Sequence, residues 1–144
     1  FRSPKNFTSR VFYDFSFNEL FETTLLLFTS YDYNSKWNIA GEFIFRKNDG
    51  WDETHDIFGM SLYGKYNINK KHQLFARYDK IESNILEGES SPWHLSKDGT
   101  ALVTGVQFNP IKNIKIALNY HDWYPWAANS NGKGFVYLDL EVKM

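Results

Sequence analysis

Asp98–Pro125 reads DGTALVTGVQFNPIKNIKIALNYHDWYP, and the fold follows from it. Leu102, Thr104, Val106 and Phe108 fall on one alternate set, and Val103, Gly105 and Gln107 on the other. After the Asn109-Pro110 turn signal, Ile114, Ile116, Leu118 and Tyr120 alternate with Lys115, Ala117, Asn119 and His121. Successive side chains of a strand point to opposite faces, so each arm has an apolar face and a polar or small-residue face. The stretch predicts two long antiparallel strands with a short turn over 109–113.

The same unit recurs along the chain. Phe7, Ser9, Val11, Tyr13, Phe15 and Phe17 alternate with Thr8, Arg10, Phe12, Asp14 and Ser16. Trp37, Ile39, Gly41, Phe43 and Phe45 alternate with Lys36, Asn38, Ala40, Glu42 and Arg46. Between them Leu26 and Phe28 blur the pattern, leaving the facing of 21–33 the least defined. Phe58, Met60, Leu62, Tyr66 and Ile68 oppose Gly59, Ser61, Tyr63, Lys65 and Asn67. The last run sets Val136, Leu138, Leu140, Val142 and Met144 against Phe135, Tyr137, Asp139, Glu141 and Lys143. Eight strands are expected, near 7–17, 21–33, 36–46, 57–69, 72–81, 100–109, 113–124 and 134–144, in a single domain over 1–144.

Most of these strands are about 10 to 13 residues long, near the length that crosses a bilayer at a tilt. Soluble strands average about half that. The connections also sort by end. Those at Asn34-Ser35, Asn69–Lys71 and Asn109–Asn113 are short; those over 47–56, 82–97 and 126–133 are long. Only the tight turn at Asn18–Leu20 interrupts the order. Short turns at one end and long loops at the other are the pattern of a transmembrane β-barrel of antiparallel strands.

Composition fits that pattern. The chain has 144 residues, 13 Phe, 9 Tyr, 5 Trp, no Cys and a net charge of -1, with low mean hydropathy. Half of each barrel strand is polar, and aromatic rings gather at the membrane interfaces. There is no basic footprint for nucleic acid, and no apolar run long enough for a membrane helix. The opening Phe1-Arg2-Ser3-Pro4 is no export leader, so the chain reads as a mature product or a fragment.

The polar faces carry charges of both signs: Arg10, Asp14, Glu22, Glu42, Arg46, Lys65, Arg77, Asp79, Lys115, Asp139 and Glu141. These are the expected lumen-facing residues, for contact with solute or for internal salt bridges. On the apolar faces Tyr31, Tyr33, Trp37 and Tyr66 lie toward the short turns, and Phe43, Phe45, Phe58 and Tyr78 toward the loops. They are the expected aromatic girdles, where amphipathic rings meet headgroups.

Catalytic chemistry finds no support. His55, His72, His94 and His121 are scattered without metal-ligand spacing, and no nucleophile elbow or phosphate-cradling loop occurs. Asp52, Glu53, Asp56 and the group Glu82, Glu87, Glu89 read as solvated loop acids rather than a cation site. No cofactor is expected.

GKYNINKKHQLFARYDK (64–80), the 98–125 stretch and FVYLDLEVKM (135–144) resemble the C-terminal strands of bacteroidete-type outer-membrane porins, the phosphate-selective or porin O/P-like group. The likeness runs from about Gly59 to Met144 and lies in strands and turns, which specify architecture better than substrate. It implies residence in the cell outer membrane of a Gram-negative bacterium, with the lipid bilayer and its lipopolysaccharide as partner, an oligomer or larger complex, and passive diffusion of small polar or anionic solutes. Members of that group are larger barrels, and many outer-membrane barrels end in an aromatic residue where this chain has Met144. Two other readings remain: a non-conducting accessory barrel in a larger membrane complex, and a soluble lipocalin-like binder with its apolar face inward.

Overall fold

A computed structural model describes residues 6–127 and 132–143. The chain is all-β. Strands β1 (Phe7–Asn18), β2 (Leu20–Tyr33), β3 (Trp37–Lys47), β4 (Ile57–Asn67), β5 (His72–Ser83), β6 (Gly99–Ile111), β7 (Ile114–Pro125) and β8 (Lys133–Val142) form one antiparallel sheet in sequence order. One 3-10 turn, Asp49–Trp51, lies between β3 and β4. No helix among the described residues is long and apolar enough to cross a membrane. Every expected strand is present, with no end moved by more than two residues. Met144 and residues 128–131 of the last loop lie outside the described residues.

The short turns have local causes. Asn34 and Ser35 both adopt positive φ, and the Lys36 amide donates to the Tyr33 carbonyl at 3.1 Å. Two central residues with φ > 0 make the turn whose twist matches that of the flanking strands. Between β4 and β5 the Asn69 side chain accepts from the backbone amides of Lys71 and His72 at 2.8 and 2.9 Å. Between β1 and β2 the chain reverses at Glu19, φ 68, with Asn18 facing Leu20.

The expected turn at 109–113 is corrected. β6 continues through Asn109-Pro110 to Ile111, which pairs with Ile114, and the reversal is Lys112-Asn113 alone. The register slips between Phe108 and Ile111. Proline has no N–H for the ladder and is tolerated at such a bulge, so a residue that reads as a turn signal here marks an irregular strand.

Register places the odd residues of β1, β2 and β3 on the same face as the even residues of β4, β5, β6, β7 and β8. This is the apolar face, and it is the exposed one. Leu27, Ile39, Leu62, Val106, Leu118 and Leu138 all stand open on it. Ala40 is the one buried apolar side chain among the described residues, and it lies on the polar face. The sheet therefore has no hydrophobic core of its own.

β1 and β8 are the two edges. The ladders run from β1 to β8 in order, and none joins β1 to β8 among the described residues. Every described position of β8, and all but one of β1, is exposed.

Candidate functional site

The polar face is the chemically varied surface. All eleven charged residues expected to face a lumen lie on it: Arg10 and Asp14 from β1, Glu22 from β2, Glu42 and Arg46 from β3, Lys65 from β4, Arg77 and Asp79 from β5, Lys115 from β7, Asp139 and Glu141 from β8. All eight girdle residues, Tyr31, Tyr33, Trp37, Phe43, Phe45, Phe58, Tyr66 and Tyr78, lie on the opposite face. At the short-turn end the Trp37 and Tyr66 rings sit 4.4 Å apart, and at the loop end those of Phe43 and Phe58 sit 6.4 Å apart.

Along the inner strands β2 to β7 the polar face is the more covered one. In β2 and β3 its residues are half-buried while their apolar-face neighbours stand open. Ala40, Gly59 and Asn119 are buried with no second layer above them. A single sheet covers one face this way by curling toward it, the direction in which a twisted sheet closes. Cross-strand packing is close at two glycines of this face. A Cβ on Gly59 would stand 2.6 Å from Ile44 Cγ2, and one on Gly105 would stand 2.6 Å from the Leu118 carbonyl and 2.7 Å from the Phe75 ring. At both a neighbour already occupies the place of a side chain: backbone and a ring at Gly105, a single Ile44 methyl at Gly59.

Some of the charges pair. Arg77 Nε donates to Asp79 at 2.7 Å, Lys115 Nζ to Glu141 at 2.9 Å, and Arg46 Nη1 to Asp49 at 2.7 Å. Asn119 donates to Asp139. Glu22 accepts the Gly50 amide at 2.8 Å. With Arg46, it ties the 3-10 turn down to the polar face. Arg10, Asp14, Glu42 and Lys65 make no ion pair among the described residues.

Two adjoining recesses open in the middle of this face. One, of about 290 Å³, is walled by Phe28, Ser30, Asn38, Glu42, Tyr63 and Arg77. The other, about 330 Å³, adds Asp79, Ile81 and Trp123 and shares Glu42, Ser61 and Arg77 with the first. Register explains the grouping. Phe28, Glu42, Ser61 and Asp79 are successive partners across β2 to β5, and Ala40, Tyr63 and Arg77 form the next row.

At the loop end the chain is built rather than slack. Asp98 is 1% exposed. Its carboxylate accepts from the Ser83 amide at 3.0 Å and the Ser83 hydroxyl at 2.6 Å, and the same hydroxyl accepts the His94 amide at 3.0 Å. Trp93 stacks between His55 and His94, with ring centroids at 4.4 and 4.6 Å. The loop acids divide their tasks: Asp56 accepts the Asn48 amide, and Glu82 pairs with Lys80. His72 stacks on Phe108 at the turn end and His121 lies against Tyr137, so the four histidines are not brought together. The described residues hold no group of three or more acids and histidines arranged for a metal ion.

Sequence reasoning missed Asp98, which only opens the 98–125 stretch there, and the gathering of Phe28, Ser61 and Tyr63 around Glu42. Alternation gives the face of each residue, but the grouping needs the register between strands. No family model, curated protein or solved structure matches the chain.

Proposed function

We propose that this chain is wall of a transmembrane β-barrel in an outer membrane, and that its polar face lines a water-filled path for passive movement of small polar solutes. The observation that carries the reading is the inversion of the two faces. Apolar side chains from all eight strands stand open, while along the inner strands β2 to β7 the polar face is mostly half-buried or buried. Hydrophobic burial is the dominant drive of folding in water, and monomeric soluble proteins rarely expose contiguous apolar patches beyond a few hundred Å². A lipocalin-like binder would carry its apolar face inside. Immersed in lipid, the same exposed face is at home. Strand lengths of 10 to 14 residues, connections sorted by end and rings toward both ends of the apolar face support the same reading.

The edges bear on the size of the barrel. In hydrocarbon each unpaired backbone N–H or C=O costs several kcal/mol. Edges exposed along β1 and β8 therefore call for pairing with strands other than each other, in a barrel of more than eight. An eight-stranded barrel is wide enough only for its own side chains; a wider one leaves the Glu42–Arg77 region in water.

Recording from the protein reconstituted in planar lipid bilayers tests the pore. Stepwise conductance is the expected result. Protein that inserts and resists extraction yet carries no current would overturn it and favour a non-conducting structural wall, a reading supported by the Arg77–Asp79 and Lys115–Glu141 pairs.

A further inference from the structure

We propose that the recess between Glu42 and Arg77 is a binding site for short zwitterionic solutes, amino acids or dipeptides, with the ammonium held at Glu42 and the carboxylate at Arg77. The inference rests on the reading of the polar face as the lining of a solute path, and gives that path a substrate class.

The recess presents two opposite charges that do not neutralise each other. Glu42 and Arg77 both line it, and no ion pair joins them. Arg77 is steadied from the side by Asp79 at 2.7 Å through Nε. Its guanidinium has five N–H donors, so that pair leaves donors over for a second carboxylate. Glu42 makes no ion pair among the described residues. A half-buried carboxylate without a partner is costly to keep, and a ligand cation would supply the missing partner.

The surroundings suit the same ligand. Phe28 stands across from Glu42 on β2, where an aromatic face can share a bound ammonium. Ser30, Asn38 and Ser61 add neutral hydrogen-bonding groups between the charged poles. Tyr63 is the cross-strand partner of Arg77, and the neighbouring recess offers Trp123 and Ile81 to an apolar side chain. Dimensions agree as well. The backbones of β3 and β5 are two strand spacings apart, about 10 Å, and long side chains reach inward from both. An extended dipeptide spans about 7 Å, and a recess of about 290 Å³ lies at the small end of ligand sites. A free phosphate would meet the Glu42 carboxylate beside the one cation of that recess, Arg77, and a neutral sugar would leave both poles unmatched.

The test uses the whole chain in detergent and the dipeptide Gly-Phe, with its N-acetylated and C-amidated forms, followed by calorimetric or ligand-observed NMR titration. Free Gly-Phe is expected to bind, and blocking either end to weaken it about tenfold, one charge-assisted contact's worth of affinity. Glu42→Gln should erase the discrimination against the acetylated form and keep that against the amide. Arg77→Gln should do the reverse, and this reciprocity is one that misfolding cannot mimic. Equal binding of free and blocked dipeptides, or binding of inorganic phosphate or glucose in their place, would overturn the proposal, as would no binding at all. Bilayer recordings separate the two levels: conductance without dipeptide binding removes this inference alone, whereas dipeptide binding without conductance removes the pore and leaves the site.

Discussion

Leu118 and Asn119 are consecutive on β7 and meet opposite surroundings. Leu118 is 50% exposed and Asn119 5%. Leu118 makes one row with Val106 and Leu138 on the open face; Asn119 gives a hydrogen bond to Asp139 on the covered face. The same inversion holds along the inner strands β2 to β7, whereas the edge strands β1 and β8 are open on both faces. Ile39 stands open beside Ala40, which is buried. In a water-soluble domain the assignments would be exchanged, since burying apolar surface is what stabilises it. The difference teaches that the two faces of the inner strands meet unlike surroundings, the polar one being the more covered although no second layer lies over it.

The comparison breaks most visibly with one charge placed on each face. Under the membrane reading, Leu118→Arg puts a guanidinium into lipid near the middle of β7, a cost of about 2–4 kcal/mol. Ala117→Arg, one residue earlier, points to the polar face beside Asp139 and should stay within about 1 kcal/mol. Assembly into lipid vesicles, followed by heat-modifiable gel mobility, should be impaired for Leu118→Arg and near normal for Ala117→Arg. Equal behaviour, with both variants folding in detergent-free buffer, would return the sheet to water, where an exposed substitution is worth about 0.5 kcal/mol or less.

A second pair sharpens what covers the polar face. Gly105→Ala would set its methyl 2.6 Å from the Leu118 carbonyl and 2.7 Å from both Asn119 Cβ and the Phe75 ring. Backbone must move, and overpacking of that kind costs about 1–3 kcal/mol. Gly59→Ala meets a side-chain methyl of Ile44 at 2.6 Å and nothing else closer than 3.7 Å. A rotamer change relieves it, so the loss should be under about 1 kcal/mol. Denaturant unfolding of the two variants measures the difference. Similar losses would mean that Phe75 does not lie over β6 as described.

Much of this fold is legible in the alternation, because a strand with two unlike faces writes its period into the sequence. That is why Arg10, Glu42, Lys65, Arg77 and Asp139 can be placed on a common face before any pairing is known. Ends are harder to read. Pro110 looks like a turn and sits in a bulged strand, and Ser83 looks like loop because its reason for being strand, the Asp98 carboxylate, lies 15 residues away. Partners are harder still. Arg77 and Asp79 can be placed on one side of β5 from spacing alone, but that Arg77 shares a recess with Glu42 follows from the registers of β3 on β4 and β4 on β5. Nor does any residue of β1 or β8 announce that the two edges leave each other unpaired; both alternate as cleanly as inner strands.

The smallest expected effect tests whether the charges of the polar face hold the sheet together or serve something else. Arg46 gives one hydrogen bond to Asp49 at 2.7 Å and another to Thr24 Oγ1 at 3.3 Å, with 40% of its side chain exposed. Exposed pairs of this sort are worth about 0–1 kcal/mol, because water screens the attraction and two long side chains lose freedom. Arg46→Ala should therefore leave global unfolding almost unchanged. The local consequence should be larger, since Arg46 and Glu22 are the side chains that fasten the 3-10 turn Asp49–Trp51 to the polar face. Amide exchange at Gly50 and Trp51 should quicken in Arg46→Ala while exchange across β3 and β4 stays at the parent rate. A global loss well above 1 kcal/mol would instead make Arg46 part of the structural frame. The view that stability resides in the backbone ladders and the apolar face, with polar-face charges left for loops and solutes, would then have to be abandoned.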